Sequence, residues 1–490
     1  MTPPTAAATQ PEAEVQATGA PRRFLLIFKG TGFLRHFAGT IELLLQRGHR
    51  VEAYYESMSD APQYAEDTAR LEAYPNFSGQ ALPRFRKDPR DRQRAELRYT
   101  WDYLRYYHPA FRNADFLRDR VAPKVPPRIL AWGRRGLFRI GLVRRLGEAL
   151  LRRREWREPV KQGVEEFVAA HEPDLVVLSP LIWFGSQQTE YVKAAAHLGI
   201  PSVLCVASWD NLSNKGAVRI APDHVVVWNE TQVEEAVDFH GVARRRLIAT
   251  GAQTFDPWFD RRPSRSREAF LAEHGLPAGG KLVVYLCSSA SIGGAERSFI
   301  EAWLAALRAS ERPLIAGAAV LVRPHPKNLK QWREGGMDLG AGAAVWPVGD
   351  EGFYGDSGRD SLFDTLYHAD VLVGLNTTAM IEAAILEKPV LTPQLLEFAQ
   401  VRQGTEEMYH FKYIRADNGG FVRIAGTMDE HLDQLDEALA DPSRYRLGAR
   451  AFVDRFVRPF GRDQRATDRL ADVLEDLAGR AASEGRRAGG

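Results

Sequence analysis

The chain has 490 residues, with 65 Lys and Arg against 63 Asp and Glu, 44% apolar residues and two cysteines. That length exceeds one ordinary hydrophobic core and predicts two domains of similar size. The cysteine count excludes a disulfide framework, and no apolar run reaches the roughly eighteen residues that a membrane-spanning helix needs.

The first twenty residues are rich in Ala, Thr, Pro and Glu. They lack a basic start and an apolar middle, so residues 1–20 read as a disordered leader rather than a signal peptide. Phe24–Phe28 is an apolar run of the kind that forms a buried parallel strand. It ends in Lys29-Gly30-Thr31-Gly32. Phe37, Ile41, Leu44 and Leu45 then share one helical face, and Gly48 is placed to stop that helix. Val51, Ala53 and Tyr55 alternate as a second strand, which completes a β-α-β unit.

From Ala81 to Val160 the chain holds 22 Lys or Arg against 9 Asp or Glu, so the remainder is net acidic. Trp101, Tyr103, Tyr106, Tyr107, Phe111, Trp132, Phe138, Ile140, Leu142 and Val143 lie between these charges. Two readings stay open for this insertion. It is a surface for an anionic membrane or an anionic acceptor, or a solvated helical segment that its arginines keep soluble. No nucleic-acid-binding module accompanies the charge, and no nucleic acid is expected as a partner.

Leu175–Leu178 reads as a strand broken by Ser179-Pro180, and a helix runs from there to Leu198-Gly199. Ser202–Val206 is the next strand, followed by the polar loop Ala207–Gly216. Strand Val225–Trp228 leads into a helix from Asn229, whose Gln232 has capping-box spacing, and Leu247–Thr250 closes this half. His49 and His240 flank glycines that end helices and read as cap or surface residues. Cys205 and Cys287 each end an apolar run and read as buried thiols, which suits a reducing cytoplasm. Arg261–Ser266 has linker composition.

Beyond the linker the alternation restarts. Strands Leu282–Leu286, Val320–Val322, Val371–Val373 and Val390–Thr392 are separated by helices through Phe299–Leu307, Leu362–Leu366 and Ala379–Leu386. This pattern predicts an α/β chain of two doubly wound, Rossmann-like domains, each a parallel sheet covered on both faces. Ligands of such sheets bind beyond the carboxyl ends of the strands.

Three loops at those ends carry chemistry: Ser288-Ser289-Ala290-Ser291, Arg323-Pro324-His325-Pro326-Lys327 and Gly374-Leu375-Asn376-Thr377-Thr378. They offer hydroxyls, cations and N–H donors at a helix start, which is what a diphosphate needs. Pro324 and Pro326 stiffen the backbone on both sides of His325. Glu382 follows Thr378 by one helical turn, where a carboxylate can accept both hydroxyls of a ribose. Taken singly, Thr377 and Thr378 are helix caps and Glu382 a solvated residue. Their joint placement at strand ends of one sheet favours a nucleotide site.

The order Gly-x-Asn-Thr-Thr-x-x-x-Glu-x-x-x-x-x-Lys-Pro-Val, from Gly374 to Val390, resembles the donor-binding helix of GT-B transferases. Arg323-Pro324-His325-Pro326 resembles the His-Pro motif of CDP-glycerol glycerophosphotransferases and of some capsule sialyl- and Kdo-transferases. This resemblance implies that His325, Thr377 and Thr378 contact the donor phosphates and that Glu382 holds the ribose. Ser288, Ser289, Arg323, Lys327 and Asn376 complete the expected donor site. The glycerophosphotransferases usually carry Asp where Glu382 stands, which favours a sugar donor. Gly30-Thr31-Gly32-Phe33-Leu34-Arg35-His36, with Arg47-Gly48-His49-Arg50-Val51, is similar to the start of a GT-B acceptor domain. Phe456–Asp463 and the last helix are similar to the segment that crosses back to the first domain.

The implied fold is GT-B-like, two doubly wound domains facing a cleft with a C-terminal helix crossing back. The expected parts are an acceptor domain at 21–260, carrying the insertion at about 81–160, and a donor domain at 261–425. C-terminal helices at 426–479 and a disordered tail at 480–490 follow. The implied function is transfer of a sugar from a nucleotide-sugar donor to a surface-polysaccharide, lipid-linked or small-molecule acceptor. It would occur in the cytoplasm or on the inner face of the cell membrane. Glycerol phosphate transfer from a CDP donor, nucleotide-sugar epimerisation and non-catalytic nucleotide binding are the alternatives. An inverting transferase needs a base for the acceptor hydroxyl, and His36 and Asp210 are the two candidates. Gly30, Thr31, Gly32, Asn211 and Trp209, the last as a stacking face for a sugar, are the expected acceptor contacts. No His, Cys and carboxylate cluster has metal-ligand spacing and no Asp-x-Asp motif occurs, so neither a metal nor a cofactor is expected beyond the activated donor.

Overall fold

The computed structural model describes residues 20–59, 62–289, 296–333, 339–349, 352–395 and 408–488. Among them, strands form two wholly parallel sheets. The first holds β1 (Arg23–Phe28), β2 (Arg50–Tyr55), β3 (Phe77–Ala81), β4 (Leu175–Ser179), β5 (Ser202–Cys205), β6 (His224–Val227) and β7 (Leu247–Ala249). Their order is β3-β2-β1-β4-β5-β6-β7. The second holds β8 (Leu282–Leu286), β9 (Ala319–Arg323), β10 (Ala343–Val345), β11 (Val371–Gly374), β12 (Val390–Pro393) and β13 (Val422–Ala425), in the order β10-β9-β8-β11-β12-β13. Each sheet winds outward in two directions, from β1 and β4 in one and from β8 and β11 in the other. The loops at these switch points border the crevice where such folds bind ligands.

The predicted strands lie in the sheet interiors because helices cover both their faces. β1 is the example: Phe24 to Phe28 are all buried, with Phe24 opposite Val51 on one side and Leu175 on the other. Helix Leu34–Gln46 buries Phe37, Ile41, Leu44 and Leu45 against this sheet, and Gly48, at φ +83°, ends the turn that follows. β3, β10 and β13, which carry no clear strand pattern, are edge or near-edge strands. β3 reads Phe-Ser-Gly-Gln-Ala and buries only its phenylalanine fully.

The basic insertion divides into core and surface. Trp101, Tyr103, Tyr106, Phe111 and Phe138 are buried, whereas Trp132, Ile140 and Leu142 are exposed. Several charges also turn inward. Arg98 meets Glu155 at 2.6 Å and also pairs with Glu190, while Lys193 stands 3.3 Å from Glu190. Part of the positive charge is therefore spent on internal pairs rather than on solubility.

Helix Ala466–Ala488 returns to the first domain and reaches into the segment whose composition predicts a disordered tail, whose last two residues lie outside the described ones. Its Leu470, Ala471, Leu474 and Leu477 pack with Phe24, Leu26, Phe37 and Ile41. His49, predicted as a cap or surface residue, is buried beneath it and bonds Glu475 at 2.6 Å. His240, predicted likewise, is buried with its Nε2 2.8 Å from the Leu212 carbonyl oxygen. Before this helix, Arg458 pairs with buried Asp256 at 2.7 Å, and the other Asp256 oxygen accepts the Thr467 N–H at 2.7 Å. Asp256→Ala leaves the Arg458 charge buried and unpaired. The expected loss is about 3–5 kcal/mol, read as a lower urea midpoint, and an unchanged midpoint refutes a stabilising role for this strap. No helix among the described residues is long and apolar enough to cross a membrane.

Candidate functional site

β9, β8 and β11 are neighbours, so the loops at their carboxyl ends share one edge of the second sheet. Ser288 ties the three together. Its N–H donates to Glu296 Oε2 at 2.8 Å, its carbonyl accepts from Asn328 Nδ2 at 3.3 Å, and its Oγ accepts the Asn376 N–H at 3.4 Å. Gly374 allows this approach, since a Cβ there would stand 2.8 Å from the Leu286 carbonyl oxygen. Asn376 is buried, and its Nδ2 has no partner among the described residues. A buried donor left in this way is a natural partner for a ligand oxygen. Ser289 follows half-buried, Thr377 is half-buried and Thr378 is exposed at the start of helix Ala379–Ile385. Ala290 and Ser291 lie outside the described residues.

His325 sits between its two prolines with Nδ1 accepting the Lys327 N–H at 3.1 Å, which leaves Nε2 to carry the ring proton. Burial first, then Lys327 and Arg35, push the imidazole down to about 4. At neutral pH it is therefore an uncharged N–H donor. Burial pushes the Glu382 carboxyl up to about 7 against the opposing pull of Arg35 and Arg323.

Arg323 departs from its expected part. Its guanidinium donates to Thr365 Oγ1 at 3.0 Å, Ser361 Oγ at 3.1 Å and the Gly352 carbonyl at 2.9 Å. These bonds anchor helix Gly355–His368 beneath the loops and direct the Arg323 guanidinium into the fold, from where its charge acts on Glu382.

The first domain supplies cations that the sequence pattern does not single out. Arg35, exposed on helix Leu34–Gln46, lies near enough to lower His325 and Lys327 and to oppose the rise of Glu382, and Lys215 also acts on Lys327. Positive charge from both domains thus faces one gap. His36 lies beside Arg35. Its Nε2 accepts from Arg35 Nε at 3.2 Å and its Nδ1 is 3.1 Å from Thr254 Oγ1. Arginine only donates, so the imidazole proton belongs on Nδ1 and the lone pair on Nε2. Burial and Arg35 hold this imidazole well below its usual range, with Asp210 pulling the other way.

Asp210, the competing base, is poorly suited to that work. Burial would raise its carboxyl, but Lys215 at 3.1 Å, His410 and Ser208 hold it below the usual carboxylate range. Asn211 Nδ2 and Asn214 Nδ2 each donate to it at 3.3 Å. A fully ionised, occupied carboxylate is a weak proton acceptor.

Three expected acceptor contacts face inward instead. Trp209 is 3% exposed and packs edge-on against His410 with ring centroids 4.5 Å apart. Its indole closes the junction between the domains and offers no open face to a sugar. Asn211 is 5% exposed and accepts the Ala207 N–H at 3.2 Å. Thr31 is buried, its hydroxyl donating to the Ser59 carbonyl at 3.4 Å. Gly30 and Gly32 let this turn close, since a Cβ at Gly30 would stand 2.8 Å from Ser57 Oγ and one at Gly32 3.0 Å from the Tyr64 ring. Another pair, unmarked in sequence, bridges the domains: Tyr413 donates to Glu235 at 3.0 Å, and burial pushes the Glu235 carboxyl up to about 8.

No protein-family model and no curated protein matches this sequence. Solved structures do match. A putative UDP-N-acetylglucosamine 2-epimerase from Listeria monocytogenes aligns with a TM-score of 0.51 and 12% identity, over 93% of this chain and 96% of that one. A glycosyltransferase from Rickettsia africae aligns with a TM-score of 0.50 and 9% identity, over 93% of this chain and 98% of that one. At these identities the likeness is one of fold. The fold is GT-B-like: two Rossmann-like domains face a cleft, and the C-terminal helix crosses back.

Proposed function

We propose that the chain is a glycosyltransferase that moves a sugar from a nucleotide-sugar donor to a surface-polysaccharide, lipid-linked or small-molecule acceptor. The observation that carries this reading is the buried, unpartnered Asn376 amide at the strand ends, beside which the field of Arg35 from the first domain acts on His325, Lys327 and Glu382 of the second. A cationic gap beside one half-buried carboxyl suits a nucleoside diphosphate, whose phosphates take the cations and whose ribose takes Glu382.

In this reading Asn376 Nδ2, His325 Nε2–H, Lys327 and Arg35 surround the diphosphate. Once Arg35 turns to the phosphates, the lone pair of His36 Nε2 is released for the acceptor hydroxyl. His36 takes that proton as the acceptor oxygen bonds to the anomeric carbon. The bond from that carbon to the diphosphate breaks, and the leaving oxygen keeps the electron pair beside His325 and Lys327. Catalysis is mostly positioning and electrostatic stabilisation. With these cations in place the reaction needs neither a metal nor a cofactor, and turnover unchanged by EDTA is the expected result.

Thermal-shift measurements against UDP, GDP, CDP, CMP and dTDP test the donor site. UDP comes first, because the Listeria structure is named for a UDP-sugar. A ligand at a hundred times its dissociation constant stabilises by about 2.7 kcal/mol. Product analysis with the matching donor then separates sugar transfer from epimerisation and from glycerol phosphate transfer. A shift without turnover of any donor leaves a non-catalytic nucleotide-binding protein.

Glu382→Ala should weaken binding of the cognate nucleoside diphosphate by about 1.5–3 kcal/mol, the scale of a hydrogen bond to a charged group. The wild type should also bind more tightly at pH 8 than at pH 6, because a carboxyl titrating near 7 accepts both ribose hydroxyls only when ionised. Glu382→Gln should flatten that dependence. Calorimetry at both pH values reads this directly, and equal affinity in the alanine variant removes Glu382 from the site.

A further inference from the structure

Helix Gly141–Arg157 of the basic insertion leaves one face uncovered. Leu142, Leu146 and Leu150 recur every fourth residue and are 68%, 56% and 69% exposed, and Trp156 is 52% exposed. Beside Trp156, between this helix and the amino ends of β5 and β6, lies a cavity of about 610 Å³. Ser202 and Asp223 line it at those strand starts, so it opens at the end of the first sheet opposite the catalytic cleft.

Arg152, Arg153, Arg245 and Arg246 line this cavity, and among the described residues none of the four is in an ion pair. Arg152 reaches the His240 carbonyl at 3.4 Å and Arg246 the Pro222 carbonyl at 2.6 Å. The one carboxylate of the lining, Asp223, accepts the Ser202 N–H at 2.9 Å and the Ser202 hydroxyl at 3.0 Å through one oxygen, so a single negative charge faces these four arginines. Arg219, also of the lining, is 1% exposed and pairs with Asp102, yet its Nε and Nη1 have no partner. Val192, Val218 and Ile220 supply an apolar floor. The arginines outnumber the carboxylate of the lining, and this excess of like charge is a cost that an anionic partner removes.

We infer that this cavity and the leucine face beside it dock the protein on an anionic phospholipid bilayer. A headgroup phosphate sits among Arg152, Arg153, Arg245 and Arg246, while Leu142, Leu146, Leu150 and Trp156 enter the acyl boundary. The cavity is of small-ligand size. A soluble phosphate would engage the arginines but leave the row of leucines in water, which is why the lipid is the fitting source. The site lies outside the cleft, so the inference stands independently of donor chemistry.

Vesicle sedimentation of the full chain tests it, with phosphatidylcholine alone and with phosphatidylcholine containing phosphatidylglycerol. Binding should require the anionic lipid and weaken as salt rises. Arg153→Gln with Arg245→Gln should reduce partitioning by about 25-fold, from roughly fivefold per arginine near an anionic surface. Leu146→Ser with Leu150→Ser should reduce it at constant salt. Quenching of tryptophan emission by brominated phosphatidylglycerol should fall in Trp156→Phe. Each variant should keep the wild-type melting temperature and nucleotide-induced shift, which separates a lost surface from a lost fold or a lost donor site. Three outcomes overturn the inference: equal binding to neutral and anionic vesicles, wild-type partitioning of the arginine variant, or release from vesicles by millimolar glycerol phosphate. The last would assign the cavity to a soluble anion.

Discussion

His325→Ala should lower turnover by about 10²–10³-fold, the usual effect of removing one preorganised donor from a site of developing negative charge. Affinity for the cognate nucleoside diphosphate should fall less than tenfold. The asymmetry follows from where the ring stands. Its Nδ1 is tied to the Lys327 N–H, its prolines fix the backbone, and burial keeps the imidazole neutral down to about 4. In the proposed site, a neutral N–H adds little to a diphosphate that Arg35 and Lys327 already surround. Its value rises when the leaving oxygen gains charge, because the donor is already oriented and needs no reorganisation. Calorimetry and steady-state kinetics on one preparation separate the two effects. Equal losses in binding and turnover would make His325 a ground-state ligand, and unchanged turnover would make its loop structural.

His36→Ala is the second large effect, with turnover expected to fall by roughly 10²–10⁴-fold and donor affinity unchanged. Asp210→Asn should cost much less, since that carboxylate is ionised, paired with Lys215 and bonded by two asparagine amides. The pH profile gives a further check. The His36 imidazole titrates well below its ordinary range in the unliganded protein, so it should add no inflection to kcat/KM near pH 7. An inflection there belongs to Glu382, which titrates near 7, and should vanish in Glu382→Gln while remaining in Asp210→Asn. If Asp210→Asn proves the slower variant, the base is Asp210 and Arg35 never leaves His36.

Much of this molecule is legible from local pattern. A parallel strand covered by helices on both faces is a continuous apolar run, and β1, β4, β8, β9, β11 and β12 all lie within a residue or two of such runs. Once those strands alternate with helices, the doubly wound sheets follow, and with them the edge at which Ser288, His325 and Asn376 must gather. β3, β10 and β13 lack that signal, because a strand at the margin of a sheet loses cover and its residues no longer have to be apolar.

Only the tertiary structure decided how individual polar side chains are spent. Arg323, Asn211 and Thr31 look like site residues in sequence, yet their donors bond inside the fold, and Trp209 fills the domain junction. Arg35 and Lys215 are not marked as site residues by their pattern, and they act on His325 and Lys327 only because the other domain lies opposite them. The reason is physical. Apolar periodicity reports which face of an element is buried, and that is settled within ten or fifteen residues. A hydrogen bond or an ion pair is settled by whichever partner the folded chain brings within about 3 Å, and here that partner lies across a loop or across the cleft between two domains.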